Sequence, residues 1–189
     1  WALRLNRFSE STTDVGTQEF RVCFRCWQSE WLQVITSPNR DGHLLLKDKV
    51  LVVTGGAGLL GASVCKGIAR EGGTPVVTDV DIDRAEQVAG EIRASGSTAH
   101  AVALDITDGT QIDQIIVEVQ DRFGSVDAVV NNAYPRGKNF GRLVEEVEYE
   151  DFCESLSLHL GGYFLVSQRF AMAFRSQGHG NIVNISSIY

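Results

Sequence analysis

Thr54-Gly-Gly-Ala-Gly-Leu-Leu-Gly61 is the segment whose residue types and spacing point most directly to chemistry. Gly56, Gly58 and Gly61 fit GxGxxG, and the motif joins an apolar run to an amphipathic stretch, the context that makes such glycines informative. Gly55 and Gly56 permit a tight turn and close approach of a pyrophosphate, while Gly61, lacking a Cβ, lets a helix pack near the strand. Backbone N–H groups of Leu59, Leu60 and Gly61 at the helix start then complement anionic phosphates. The plainer alternative is a glycine-rich strand-to-helix turn with no ligand. Asp79 closes the next apolar run, 18 residues after Gly61 and 24 after Gly55. A carboxylate there accepts hydrogen bonds from adenosine ribose hydroxyls and repels a 2′-phosphate, which favours NAD over NADP. Val80 follows in place of a phosphate-pairing arginine, although Arg84 is near enough to bend back toward one. The alternative for Asp79 is a solvated strand end.

These residues need a scaffold, and the chain supplies one from about residue 45. Short apolar runs alternate with longer amphipathic stretches, the pattern of β-α-β units. Strands are expected at 49–54, 75–79, 99–104, 126–131 and 180–186, with helices near 60–71, 82–95, 109–123 and 149–176. Right-handed crossovers turn this into an α/β, doubly wound parallel sheet of order 3-2-1-4-5. In the last helix Phe152, Leu156, Leu160, Tyr163, Phe164, Ser167 and Phe170 recur at spacings of three and four, which predicts a core-facing stripe.

Composition excludes several classes. The 189 residues are 43% hydrophobic and 22% charged, with a formal net charge of −7, the profile of an ordinary globular chain. That acidity argues against nucleic-acid or polybasic membrane binding, and no run reaches the roughly 18 apolar residues that cross a bilayer. Cys23, Cys26, Cys65 and Cys153 are too irregularly spaced for a disulfide framework, which suits a reducing, cytoplasmic setting. Cys23 and Cys26 match CxxC, but no second pair follows at zinc-finger spacing, so no metal site is expected. Residues 1–44 hold all three tryptophans and no sustained period, and are read as an unassigned leader of low order with no catalytic role.

Together with Asn131-Asn132-Ala133 after the fourth strand and Asn184-Ile-Ser-Ser187 after the fifth, these motifs resemble the short-chain dehydrogenase/reductase superfamily over residues 45–189. The segments 131–141, 160–168 and 178–189 look like a bacterial group that accompanies flagellin glycosylation and nonulosonic-acid sugar synthesis. The resemblance implies a Rossmann-like, NAD-binding domain, incomplete before its sixth and seventh strands. It implies hydride transfer on a hydroxyl/carbonyl pair, with a sugar derivative as the expected substrate, and homo-oligomers in the full-length form. It places Asp105 beside the adenine with Ile106 close to the ring, and Asn131, Asn132 and Ala133 at the cofactor-contacting turn. Asn184 falls behind the nicotinamide, and Ser187 matches the catalytic serine that hydrogen-bonds the reacting oxygen.

Three departures stand out. The glycine motif reads TGxxGxxG, with Leu59 where the superfamily's shorter branch has a glycine; Tyr134 replaces the last residue of NNAG; and His159 occupies the place of an asparagine in the proton relay. His159 either takes over that relay or is a polar core residue. The resemblance also requires a tyrosine and, four residues later, a lysine on the helix after Ser187; no such pair follows. With Trp1 first and Met172 the single methionine, the expectation is the N-terminal portion of a longer enzyme, inactive alone, or alternatively a non-catalytic dinucleotide-binding module.

Overall fold

The computed structural model describes Ala2–Arg4 and residues 44–186. Six strands make one sheet: β1 (Ala2–Arg4), β2 (Val50–Thr54), β3 (Thr74–Asp79), β4 (His100–Ala103), β5 (Ala128–Asn131) and β6 (Asn181–Asn184). Their order is β1-β6-β5-β2-β3-β4. The five strands β2–β6 are parallel and, counted from β2, run 3-2-1-4-5 as the β-α-β pattern requires. β1 adds an antiparallel edge, with Ala2 opposite Val183. The low order expected for residues 1–44 falls largely on residues outside the described ones, as does the Cys23/Cys26 pair.

Alternation along the central strands divides the core into two. Val52, Val76 and Val129 point to one face, where they meet Ile112, Val119, Val166, Phe170 and Phe174. Val53 and Val77 point to the other and meet Cys65, Ile68, Ala85, Ala89 and Ile92. Those helical residues belong to α1 (Leu59–Arg70), α2 (Ile82–Ala94), α3 (Gly109–Phe123) and α5 (Gly162–Gln177). Burial pushes the Cys65 thiol up to about 12, so it acts as a small apolar side chain rather than a nucleophile.

The long last helix departs from expectation. It is α4 (Tyr149–Leu156), one widened turn at Ser157–Gly161, and then α5. The line that enters the core is Gly162, Val166, Phe170 and Phe174, at a spacing of four. Gly162 lies against Ile106, where a Cβ would meet the isoleucine side chain. Phe152, Leu156, Leu160 and Phe164 form a second line with the same spacing and face outward, 45–68% exposed. Of the predicted stripe only Phe170 is fully buried. Positions two apart are turned by about 200° on a helix, so two lines of equal spacing occupy opposite faces, and periodicity alone cannot rank them.

Candidate active site

Every strand that matters for the site ends at one edge of the sheet, and the glycine turn lies there between β2 and α1. Gly55 has φ +62°, and a Cβ on it would stand 2.7 Å from the Ala133 Cα. Gly56 packs against the Val77 side chain while its N–H donates to the Thr78 carbonyl at 2.8 Å. A Cβ on Gly61 would collide with the Gly55 carbonyl and come within 2.8 Å of the Gly56 Cα. At Gly58, by contrast, a Cβ would meet only the Gly55 carbonyl, at 3.2 Å, and otherwise open space. The turn is therefore compressed on its protein side and open above.

Asn132 fastens this turn to the end of β5. Its Nδ2 donates to the carbonyls of Thr54 and Gly55, each at 3.1 Å. The buried Thr54 Oγ1 accepts from the N–H groups of Asn132 and Ala133 at 3.0 and 3.1 Å. Thr54 was not among the expected site residues; its position immediately before the glycines was the available signal.

Capping distinguishes α1 from its neighbours. Asp81 caps α2 at 3.1 Å, Asp108 caps α3, and Glu148 and Asp151 make a capping box on α4. Gly58, the cap residue of α1, has no side chain to offer, and the first turn contains no acidic residue. The N–H groups of Leu59, Leu60 and Gly61 thus lack a capping partner among the described residues, and both leucine side chains are exposed. Free N–H groups at a helix start form a donor set that can accept an anionic group such as a phosphate.

Asp79 stands beside the same turn. Its Oδ2 accepts from Ala57 N–H at 3.2 Å and its Oδ1 from Asp81 N–H at 3.3 Å, which fixes the carboxylate at the sheet edge. Asp105 Oδ1 accepts from the Thr107 N–H and hydroxyl at 2.8 and 2.7 Å, leaving Oδ2 with no donor among the described residues. Ile106 is buried beneath α5, so its side chain is core. Asn131 is fully buried; its Nδ2 donates to Asn184 Oδ1 at 2.8 Å and Ser167 Oγ at 3.0 Å. Its Oδ1 has no partner among the described residues. The asparagines are thus joined to each other across β5 and β6, and Ser187 lies just outside the described residues.

His159 sits in the widened turn, half-buried, with its ring edge-to-face on Tyr134 at a centroid distance of 3.9 Å. Phe140 packs on the same tyrosine at 5.9 Å. Tyr134 and Lys138 have a four-residue spacing, but Tyr134-Pro-Arg-Gly-Lys138 is not helical and does not bring them to one face. Tyr163, expected in the core stripe, donates its hydroxyl to the Ile185 carbonyl at 3.3 Å, and burial raises its pKa. It ties α5 to the segment leading to Ser187.

Asp151 latches the loop that carries Tyr134. It accepts from Asn139 Nδ2 at 2.6 Å, from Glu148 N–H at 3.2 Å and from Arg142 at 3.4 Å. The Asn139 bond, with help from that N–H and from Arg142, holds its carboxyl below the usual value. A depressed pKa means that this contribution is complete above the unfolded carboxyl value of about 3.9 and is lost as pH falls through the lower folded value. Asp151→Ala is expected to speed hydrogen exchange over residues 139–148 at neutral pH while leaving β2 and β3 protected; unchanged exchange would contradict the latch.

Residues 49–189 match the family described as short chain dehydrogenase. The chain belongs to that family. A flagellin modification protein A of Campylobacter coli is 34% identical over 146 residues, which are 76% of this chain and 57% of that protein. A 7α-hydroxysteroid dehydrogenase of Bacteroides fragilis is 31% identical over 142 residues, 75% of this chain and 55% of that one. Among solved structures, NAD+-bound xylitol dehydrogenase superposes with a TM-score of 0.70 at 26% identity, covering 76% of this chain and 55% of that one. A metagenomic short-chain oxidoreductase in complex with NADP gives 0.67 at 28% identity, covering 76% of this chain and 64% of that one. The chain thus spans a little over half the length of these two curated relatives. No described helix is long and apolar enough to cross a membrane.

Proposed function

We propose that this chain forms the dinucleotide-binding part of a short-chain dehydrogenase that moves hydride between NAD and a hydroxyl/carbonyl pair. The observation that carries this reading is the uncapped start of α1 within a glycine cradle, with Asp79 held beside it. Leu59, Leu60 and Gly61 bind the pyrophosphate through their N–H groups, and Asp79 accepts from the adenosine ribose hydroxyls. Asp105 lies at the adenine end; Asn131, Ala133 and Asn184 shape the wall toward the nicotinamide. When bound, NAD supplies the hydride acceptor. Ser187 hydrogen-bonds the substrate oxygen, and His159, positioned by Tyr134, serves the proton path.

NAD is favoured over NADP because the Asp79 carboxylate opposes a 2′-phosphate. A sugar derivative is the substrate class supported by the likeness to the flagellin-modification group. The outward apolar line Phe152, Leu156, Leu160 and Phe164 supports assembly into homo-oligomers. A cytoplasmic setting fits Cys65 and Cys153, both free thiols, and no nucleic-acid or membrane partner is proposed.

The second reading is a dinucleotide-binding module, in which the same glycine cradle and Asp79 serve binding without turnover. NADH fluorescence titration is expected to show saturable binding, while assays with NAD and a panel of alcohols and sugars show no reduction of the cofactor. Turnover by the 189-residue chain would refute the second reading.

A further inference from the structure

The two edges of the sheet differ in what their strands offer. Asn181 N–H donates to the Asp127 carbonyl at 3.0 Å and Ile185 N–H to the Asn131 carbonyl at 2.9 Å, so the odd-numbered residues of β6 turn their polar groups toward β5. By the alternation of a strand, Ile182 and Asn184 turn theirs to the outer edge. β1 lies along that edge, antiparallel, with Leu3 opposite Ile182 and Ala2 opposite Val183. Leu3 is therefore the residue that exchanges both N–H···O bonds with Ile182, while the N–H of Ala2 faces away from β6.

The edge that β1 covers is adhesive. Asn181-Ile-Val-Asn-Ile185 carries no charge and no proline, the devices that keep an edge strand from pairing with another chain. Val183 and Ile185 are 37% and 39% exposed. At the opposite edge, β4 begins at His100, bonded to Glu118 at 2.7 Å, and is followed by Asp105. β6 is also complementary to itself. Turned about a two-fold axis at Val183, a second β6 runs antiparallel, as β1 does, and sets Ile182 of each copy opposite Asn184 of the other. Those are the residues whose polar groups face outward, so both pairs close with main-chain bonds and the two Val183 side chains meet at the axis.

We propose that the outer edge of β6 is a pairing surface for β6 of a second copy of this chain, and that Ala2–Arg4 is a guard strand that occupies it. β1 stands in for the second copy both in direction and in the bonds it gives to Ile182. Three residues long, it makes a short guard that local opening detaches at small cost. The surface is separate from the outward apolar line of α4 and α5. Because Asn184 of β6 also bonds Asn131, the pairing joins two copies beside the candidate site.

The test is amide hydrogen exchange, read by NMR over a dilution series of the wild-type chain, Leu3→Pro and Ala2→Pro. Wild type is expected to protect Ile182 at every concentration. Leu3→Pro puts a ring where the N–H to Ile182 stood, and is expected to speed exchange at Ile182 by about tenfold or more when dilute. Val183, whose N–H faces β5, and the residues of β2 are expected to stay protected. Concentrating Leu3→Pro is expected to restore Ile182 and to protect Asn184. Val183→Lys added to Leu3→Pro sets like charges across the axis and is expected to abolish that recovery. Ala2→Pro is expected to match wild type, since an edge strand tolerates proline where the N–H faces away. Equal exchange at Ile182 in wild type and Leu3→Pro, or an equal loss in Ala2→Pro, would refute the guard. Exposure of Ile182 at every concentration of Leu3→Pro, or recovery that survives Val183→Lys, would refute the pairing with a second copy.

Discussion

Gly61→Val is expected to lower NADH affinity by more than about a hundredfold, the largest effect of any single substitution considered, because the space a side chain needs is filled by main chain. The Gly55 carbonyl, the Gly56 Cα at 2.8 Å and Asn132 Nδ2 at 2.9 Å surround the position of a Cβ. None can move freely: the first two belong to the turn, and Asn132 already donates to the Thr54 and Gly55 carbonyls. α1 must shift away from β2, and the N–H groups of Leu59, Leu60 and Gly61 shift with it. Overpacking of this kind also costs about 1–3 kcal/mol of stability. Gly67→Ala in the same helix is the control, since its nearest neighbour would be the Arg70 Nη2 at 3.9 Å. It should gain about 1 kcal/mol in urea unfolding and leave NADH affinity within about twofold. Equal NADH affinity in Gly61→Val and wild type would remove the turn from cofactor binding.

Asp79→Ala is the second large effect, and its direction depends on the cofactor. The substitution removes the proposed acceptor for ribose hydroxyls together with the observed acceptor for the N–H groups of Ala57 and Asp81. Hydrogen bonds to a charged group contribute about 1.5–3 kcal/mol each, so NADH affinity should fall by about 10–100-fold. For NADPH the same change also relieves repulsion of the 2′-phosphate, and the loss should be smaller, or a gain. Parallel titrations with both cofactors check this. Equal losses would mean that Asp79 only holds the turn.

The sheet order and the placement of the glycine motif were legible in the sequence because both rest on strong local patterns. β2, β3 and β5 are apolar on both faces, and the glycines stand where a strand hands over to a helix. The outward face of α4 and α5 was not legible. Two apolar lines share one spacing there, and the contact of Gly162 with Ile106, remote in sequence, decides which enters the core. Asp79 was readable from its distance to the glycines, but its bond to Ala57 depends on how the turn folds. The Asp151 latch on Asn139 joins a loop to a helix start and leaves no periodic trace. Tyr163 reads as apolar by spacing, while its hydroxyl bond to Ile185 comes from the pairing of α5 with β6.

The uncapped start of α1 is proposed to hold the pyrophosphate of a nicotinamide dinucleotide. Backbone amide resonances of the isotope-labelled chain, followed by NMR as NADH is added, test it most directly. Saturable shifts are expected at Leu59, Leu60 and Gly61, with the capped first turns of α2 and α3 shifting less. A folded chain whose Leu59–Gly61 amides do not respond to saturating NADH would contradict it.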